Sequence, residues 1–475
     1  MQRIRVHGDQ FRRGEEPFVL WGFNYWPSTS PGSDPVGGDW SVLCHYQPEV
    51  VAREVAAMAA CGANTLRVWF AYADAHWTAA HTLSATGRRH LAHFLETCAA
   101  HGLYVILTVG GAGSLWGGAR GFDNPFVETP ALVYTDPAVE AQFTADVLTL
   151  LDVAGVKSSA HVLAIDLANE PIFGIPSASH NGMDATWSTH GGLDFDASLR
   201  IPSAVTAWAH WVEETYGSLT SARDAWGLAS DADALPVPVA ADFLAPGPRA
   251  GLATAYQAFV HSCFRRHGRR LAAAIRAQAP ETLVTLGFGC GGTGAEFEGG
   301  SARETLQTLM LTQNVREMQD GLDFTCVHLY DNTDARRLAF LREFLGSARP
   351  IVIEEFGYIP QHVDPGTLRE SPADAAAQAA LWETILSGTL RCNYAGALGC
   401  NYTDTANPDP ARNTWARMGI VTASGQPKES FTSFRKWATS GTLPADVHPE
   451  SLPCYPDSYR HDVQALGACY AAYRT

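Results

Sequence analysis

Residues 350–357 read PIVIEEFG, a short apolar run that ends in two glutamates, an aromatic residue and a glycine. A brief apolar run of this kind predicts a strand that is buried on both faces, as strands of a parallel sheet are. Seven other stretches have the same character: 17–24, 63–70, 103–109, 161–171, 282–289, 323–330 and 394–402. The chain therefore contains eight predicted strands, of which residues 350–357 form the seventh.

Segments with helical periodicity separate several of these strands. Residues 50–62, 91–98 and 137–153 repeat apolar side chains every three or four positions, and glycines follow the first two segments. Eight strands that alternate with helices predict an α/β fold, specifically a closed (β/α)8 TIM barrel. An open doubly wound sheet is the alternative, but the count of eight and the apolarity of most strands favour the barrel.

One connection is much longer than a barrel needs. The fourth and fifth strands are about 110 residues apart, whereas a single crossing helix needs far fewer. We interpret about 175–280 as a helical insertion between strands four and five, on the catalytic face of the barrel. The catalytic barrel, with this insertion, is predicted to span residues 1–441. The Pro-rich residues 442–475 are predicted to be a C-terminal extension that packs on the barrel.

Charge and composition argue against several classes of partner, against secretion and against a metal site. The formal net charge of −16 disfavours nucleic acid and anionic membranes as partners. No run approaches the length of a membrane span, and residues 1–14 lack the apolar core of a secretory signal, so we expect a cytoplasmic protein. The 17 histidines contain neither HxH nor HExxH, so we expect no metal and no cofactor. A homo-oligomer is compatible with the sequence.

Candidate site residues follow from position, because active sites of such barrels lie at the carboxyl ends of the strands. Asparagines, aromatic residues and charged residues gather at these ends: Asn24, Arg67, Trp69, Asn169, Glu170, His328, Tyr330, Glu354, Glu355, Tyr402 and Asp404. Trp116 lies in the loop after strand three and is a further candidate for stacking on a sugar ring. These residues are predicted to meet at one mouth of the barrel.

Glutamates on strands four and seven would face each other across that mouth, which suits glycoside hydrolysis. A retaining glycosidase uses a nucleophilic carboxylate and a protonated carboxylic acid about 5–5.5 Å apart. Arg67 is expected to keep the nucleophile ionised, and Tyr330 to donate a hydrogen bond to it. Asn169 is expected to contact the sugar 2-hydroxyl, a contact that strengthens in the transition state.

Each of these residues also has a purely structural interpretation. Arg67 would then pair with a structural carboxylate, and His328 would be a core histidine. Trp69, Trp77 and Trp116 would be packing residues, and the tryptophans of the insertion would form its own core. The GFGCGG run at 287–292 matches a nucleotide-binding pattern, but no helix opening or suitably spaced acid accompanies it, so we interpret it as a glycine-rich loop.

Two motifs resemble glycoside hydrolase clan A. LANEP at 167–171 resembles the acid/base signature of the clan, and IVIEEFG at 351–357 resembles its nucleophile signature as written in family 5. This resemblance implies that Glu170 is the acid/base and that Glu355, not Glu354, is the nucleophile. It extends to LWGFNYWP, GANTLRVW and VHLY, and so spans most of residues 15–440. YGSLTSARDAWG at 216–227 is similar to a segment of family 42 β-galactosidases of the same clan.

The sequence departs from the clan at the end of strand eight. Clan members usually carry a tryptophan there, beneath the sugar at the cleavage point, and this chain has Cys400. If Cys400 takes that place, either the surface beneath this sugar is changed or a loop tryptophan, Trp116 or Trp415, replaces the missing one.

The resulting expectation is a retaining, exo-acting β-glycosidase of short β-linked oligosaccharides, with β-mannosidase first and β-galactosidase next. The alternatives are β-glucosidase, an endo-β-mannanase or endo-glucanase, and a barrel that binds carbohydrate without catalysis.

Overall fold

A computed structural model provides the structure of the protein. It describes residues 1–30, 41–70, 77–78, 81–110, 116, 131–153, 155–169, 201–229, 234–238, 248–289, 319–330, 334–346, 349–360, 362, 370–405 and 414–440.

Eight parallel strands close into a barrel, as predicted. Three short strands precede them: β1 (Ile4–His7), β2 (Gln10–Arg13) and β3 (Glu16–Phe18). The barrel strands are β4 (Leu20–Asn24), β5 (Thr65–Trp69), β6 (Tyr104–Thr108), β7 (Val162–Asn169), β8 (Leu283–Gly289), β9 (Thr325–Tyr330), β10 (Ile351–Gly357) and β11 (Gly396–Cys400). Each pairs in parallel with its sequence neighbour, and β11 pairs with β4 to close the ring.

Among the described residues, helices separate most of the barrel strands, and one helix follows the last strand. They are α1 (Pro48–Ala60), α2 (Ala85–Ala100), α3 (Pro137–Val153), α4 (Pro202–Tyr216), α5 (Leu219–Ala225), α6 (Ala250–Gln278), α7 (Ala335–Leu345), α8 (Pro372–Arg391) and α9 (Glu429–Ser440). Local sequence sets several of their ends. The Ser84 and Ser371 side chains accept hydrogen bonds from backbone N–H groups at the starts of α2 and α8, and Gly217 ends α4 with φ of +75°.

The first predicted strand, residues 17–24, is divided in the structure. Its first residues belong to a three-stranded antiparallel sheet, β1–β3, which the sequence did not predict, and only β4 enters the barrel. Phe11 of this sheet packs edge-on against Phe324, and Phe18 against Tyr104, at ring-centroid distances of 5.1 and 5.3 Å. Phe324 directly precedes β9 and Tyr104 begins β6, so the sheet covers the end of the barrel opposite the predicted site.

The helical insertion between strands four and five has its own aromatic core. The Trp208 ring stacks between those of Trp211 and Trp226, at centroid distances of 5.3 and 5.5 Å. Tyr256 and Phe259 of α6 pack on the same ring, so α4 and α5 are fixed to the first half of α6. The second half of α6 leads into β8 and is the barrel helix of this connection. Trp208, Trp211 and Trp226 are therefore packing residues.

Two parts of the predicted organisation lie outside the described residues. These are residues 170–200, which open the insertion, and residues 442–475, so the packing of the C-terminal extension stays a prediction. Among the described residues, no helix is both long enough and apolar enough to cross a membrane.

Candidate active site

Arg67 is the centre of the candidate site. It lies on β5 inside the barrel, and none of its surface is exposed to solvent. Its Nη1 donates to Glu355 Oε1 and to Asn24 Oδ1, the latter at 3.0 Å. Its Nη2 donates to Asp166 Oδ2 and Asn169 Oδ1, both at 2.7 Å. One guanidinium therefore fixes side chains from three other barrel strands, because its planar fork presents several donors at once.

A β-bulge in β10 explains why two consecutive glutamates both face Arg67. Successive side chains of a regular strand point to opposite faces of a sheet. In β10, however, Ile353 pairs with Val327 and Glu355 with His328, so Glu354 is an extra residue relative to β9. The pairing with β11 shifts at the same place. An extra residue re-aims the side chains around it, so both carboxylates enter the barrel.

Three neighbouring side chains hold Glu355, which lies nearer the barrel mouth than Glu354 does. The Tyr330 hydroxyl donates to Oε2, while Arg67 donates to Oε1. His328 Nδ1 lies 3.5 Å from Oε1. The residue is 5 % exposed, against 0 % for Glu354. Both carboxylate oxygens are thus oriented by donors, and the group retains some access to solvent.

Glu354 and Asp166 lie deeper and are fully buried. Glu354 Oε1 is 3.3 Å from Arg67 Nε, and its Oε2 is 3.5 Å from His328 Nε2. Asp166 accepts hydrogen bonds from Arg67, from the Thr108 hydroxyl at 2.7 Å and from the backbone N–H of Gly287 at 3.0 Å. Three carboxylates therefore surround a single arginine.

The electrostatics follow from this crowding. Burial by itself would lower the pKa of Arg67, but the carboxylates of Glu354, Asp166 and Glu355 raise it well above its usual value. Burial would raise the pKa of Glu354, yet Arg67 and His328 lower it on balance. Burial, followed by the charge of Glu354, raises the pKa of Asp166. The guanidinium therefore stays charged, and the carboxylates compete for it.

Gly287 on β8 leaves the space that this cluster fills. A Cβ at this position would lie 2.7 Å from Glu354 Oε2, 2.9 Å from Arg67 Nη2 and 3.0 Å from His328 Nε2. Cβ atoms essentially never lie within 3.0 Å of other atoms, so a larger residue here would displace these charged side chains. The glycine that begins the GFGCGG run thus makes room for buried charged groups inside the barrel.

The structure brings Asn24, Arg67, Asn169, His328, Tyr330 and Glu355 together, as the predicted mouth required. Glu170, the predicted acid/base, lies outside the described residues, and its role stays a prediction. Asp166 and Glu354 belong to the same cluster, but sequence reasoning did not select Asp166. The available signal was an acidic residue inside the apolar run 162–168 of β7, at a place where an unpaired charge is costly.

Three other predicted residues lie away from this cluster. Trp116 is buried, donates to Asp146 Oδ2 at 2.8 Å and packs edge-on against Phe143 of α3. The Asp404 carboxylate binds Lys428 Nζ at 3.0 Å and the Gly419 N–H at 3.1 Å. These contacts give Trp116 and Asp404 packing and linking roles, and the substrate contacts predicted for them stay predictions.

Tyr402 is the third of these residues. Its ring is buried edge-on against Phe23, at 5.2 Å, within the large apolar core. It therefore packs inside the protein, and the substrate contact predicted for it stays a prediction.

Trp69 and Cys400 meet in a small apolar cluster beside the site. The cluster contains Trp26, Trp69, Cys400 and Met418, with the rings of Trp26 and Trp69 5.7 Å apart. The Arg67 guanidinium lies 4.7 Å from the Trp69 ring, a cation–π contact that joins this cluster to the charged one. Cys400 pairs in register with Asn24, so it does occupy the end of strand eight. Trp26, just after strand one, lies in the same cluster as Cys400. The Trp415 side chain lies outside the described residues.

In the part of the chain that the structure describes, no group of three or more histidine, cysteine, aspartate or glutamate side chains has the geometry to hold a metal ion.

Comparison with known proteins identifies the fold. No protein-family model and no curated protein matches the sequence. Among solved structures, an exo-β-1,4-mannosidase from Opitutaceae bacterium strain TAV5 matches with a TM-score of 0.55 and 18 % identity, over 92 % of this chain and 62 % of that one. A β-galactosidase from the haloarchaeon Halorubrum lacusprofundi matches with a TM-score of 0.60 and 16 % identity, over 91 % and 60 %.

A glycoside hydrolase family 5 mannosidase from Rhizomucor miehei matches with a TM-score of 0.51 and 14 % identity, over 92 % of this chain and 97 % of that one. The chain thus spans about three fifths of the length of the first two proteins and nearly all of the third. At these identities the likeness concerns the fold, and the fold is the barrel that the clan A resemblance implied.

Proposed function

We propose that this chain is a retaining, exo-acting β-glycosidase that hydrolyses short β-linked oligosaccharides, with β-mannosides as the first candidate substrates. The observation that carries the proposal is the setting of Glu355. Its carboxylate lies at the carboxyl end of a barrel strand, receives hydrogen bonds from Arg67 and Tyr330, and retains some solvent access. A carboxylate so oriented suits nucleophilic attack on an anomeric carbon.

The proposed reaction has two displacements. In the first, a Glu355 oxygen bonds to the anomeric carbon while the bond from that carbon to the leaving oxygen breaks, and Glu170 gives its proton to the leaving oxygen. In the second, Glu170 takes a proton from water, the water oxygen bonds to the anomeric carbon, and Glu355 leaves as a carboxylate. Arg67 and Tyr330 stabilise the charge of Glu355 as it disappears and returns.

Neighbouring groups support substrate binding in this scheme. Arg67 holds the Asn169 oxygen at 2.7 Å, which orients an amide directly before Glu170 in the chain, and such an amide suits the sugar 2-hydroxyl. Trp69 and Trp26 offer aromatic surface beside the charged cluster. The insertion formed by α4, α5 and α6 would limit one side of the cleft, which favours exo-action on short chains.

β-Galactosidase is the second candidate. The likeness to the haloarchaeal β-galactosidase has a TM-score of 0.60, and residues 216–227 of the insertion resemble β-galactosidases of family 42. The choice between the two sugars depends on contacts to the 2- and 4-hydroxyls, whose orientations distinguish mannose, galactose and glucose.

The test is hydrolysis of aryl β-mannoside, β-galactoside, β-glucoside and β-fucoside by the wild type and by Glu355→Ala. Glu383→Ala on α8 is the matched control, because this glutamate pairs with Lys436 on the protein surface. We expect one glycoside to be cleaved by wild type and control alone, with product of retained anomeric configuration. Loss of polymer viscosity without aryl release would indicate an endo-acting enzyme. Binding of oligosaccharide without any product would indicate a silent barrel and refute the proposal.

A further inference from the structure

The proposed reaction uses only one of the two adjacent glutamates. Glu354 is fully buried, yet it lies within ion-pair distance of both Arg67 and His328. A buried carboxylate is costly unless charged donors face it, so its presence at this point calls for a role. The geometry of His328 indicates what that role is.

His328 lies between the two glutamates. Its Nε2 is 3.5 Å from Glu354 Oε2, and its Nδ1 is 3.5 Å from Glu355 Oε1. A neutral imidazole has one N–H and one lone pair, so with two ionised carboxylates one ring nitrogen would direct its lone pair at a negative oxygen. Only the imidazolium presents an N–H to both. Placing a carboxylate at each nitrogen therefore favours the doubly protonated ring.

The charges around the ring agree with this arrangement. Among the described residues, the charged groups of this cluster are the two glutamates from β10, Arg67 from β5 and Asp166 from β7, which binds Arg67. Tyr330 and Cys326 lie on the same strand as His328 and are neutral. Burial and the charge of Glu354 raise the pKa of Asp166 to about 7, so this carboxyl carries little negative charge below neutral pH. The two ionised glutamates then exceed Arg67 by one negative charge, and an imidazolium at His328 balances that excess.

We propose that Glu354 is a positioning residue that holds His328 as an imidazolium, so that a positive charge lies beside the nucleophilic oxygen of Glu355. This inference rests on the proposed function, because it assigns Glu355 as the nucleophile. The imidazolium favours ionised Glu355 before attack and stabilises it again as the leaving carboxylate of the second displacement. The bulge in β10 and the absence of a side chain at Gly287 together provide the space for Glu354.

The first readout is the protonation state of His328 itself, which requires no substrate. Histidine-selective ¹⁵N labelling gives the ring nitrogen shifts of the whole protein, and the signals lost in His328→Gln assign the residue. We expect an imidazolium at pH 6 to 7 in the wild type. In Glu354→Gln, which keeps the shape but removes the charge, we expect His328 to lose its proton at a pH about one unit lower. A neutral His328 in the wild type at pH 6 overturns the inference.

The second readout is the pH dependence of kcat/KM on the glycoside that the wild type cleaves. We expect the alkaline limb of Glu354→Gln to move about one pH unit lower, which is about a tenfold loss at a fixed pH on that limb. Glu354→Asp keeps the charge, so its limb should match the wild type even if kcat falls. A uniform loss in Glu354→Gln with an unmoved limb would mean a merely structural role.

The two readouts separate this inference from the proposed function. If no glycoside is cleaved but the nitrogen shifts respond to Glu354→Gln, the glycosidase proposal fails and the charge coupling stands. If glycosides are cleaved and neither readout responds, Glu354 has no positioning role. Circular dichroism and thermal unfolding of each variant confirm that the comparison is made on folded protein.

Discussion

Replacing Tyr330 with phenylalanine isolates one hydrogen bond to the proposed nucleophile. The Tyr330 hydroxyl donates to Glu355 Oε2, and the other contacts of Glu355 come from Arg67 and His328. Phenylalanine keeps the ring and its packing at this half-buried position. The change therefore removes one hydrogen-bond donor to the Glu355 carboxylate and leaves the positive charge of Arg67 beside it.

The size of the effect follows from the type of bond. A hydrogen bond to a charged group contributes about 1.5–3 kcal/mol, which corresponds to about 10- to 150-fold in rate at 1.36 kcal/mol per tenfold change. Since both displacements pass through a transition state in which the charge of Glu355 changes, we expect kcat/KM to fall within this range. The melting temperature should change by no more than about 2 °C, because little buried structure is altered.

Tyr358→Phe is the matched control. The Tyr358 hydroxyl also donates to a buried carboxylate, Asp374 Oδ1 at 2.9 Å, but this pair joins β10 to the start of α8 and does not touch Glu355. Its kcat/KM should stay within about twofold of the wild type. Steady-state hydrolysis of the preferred aryl glycoside measures both variants. If Tyr330→Phe retained wild-type kcat/KM, or if the control lost as much, the role given to Glu355 and its donors would be wrong.

Three further changes test other parts of the argument. Gly287→Ala places a Cβ 2.7 Å from Glu354 Oε2 and should lower kcat/KM about 100-fold by displacing the charged cluster, whereas Gly268→Ala, with nothing within 4 Å of its Cβ, should leave it unchanged. Burial would raise the pKa of Glu140, but His267 and Arg270 lower it on balance. Glu140→Gln removes this carboxylate and should lower the free energy of unfolding, measured with urea at pH 7, by about 1 kcal/mol. The pKa of Glu140 in the folded protein lies below its usual 4.5, so this loss of stability should disappear as the pH falls below 4.5. A loss of stability that stayed constant with pH would contradict the ion pairing of Glu140. Trp208→Ala opens the aromatic core of the insertion and should cost about 3–5 kcal/mol in the same assay, and a cost below 1 kcal/mol would show that the ring stack contributes little.

The barrel was predictable because its strands are buried on both faces. Continuous apolar runs such as 161–171 and 350–357 indicate that burial, and eight such runs predict a closed eight-stranded barrel. The sheet β1–β3 escaped prediction because residues 4–13 are mostly polar and only single residues, such as Phe11, are buried. A strand with one buried side chain has no pattern that distinguishes it from a loop.

Site residues were predictable only where they lie at strand ends. Arg67, Tyr330 and Glu355 combine a position at the barrel mouth with a chemistry suited to it. Asp404 has the same kind of position, but its carboxylate binds Lys428. Which of several nearby groups a side chain binds depends on three-dimensional packing, and the sequence does not show that packing. Trp116 is likewise directed into α3.

The pair Glu354–Glu355 shows most clearly where pattern reasoning ends. Alternation along a regular strand allows only one of two adjacent side chains to face the barrel interior, so a regular strand would direct one of these carboxylates away from it. The bulge removes that restriction, and Gly287 on another strand makes the second carboxylate fit. Buried ion pairs rarely add net stability, since desolvation offsets their attraction. Asp166 and Glu354 accompany Glu355 around Arg67. Under the proposed function, their burial is better explained by its effect on the orientation and charge of Glu355 than by any contribution to folding.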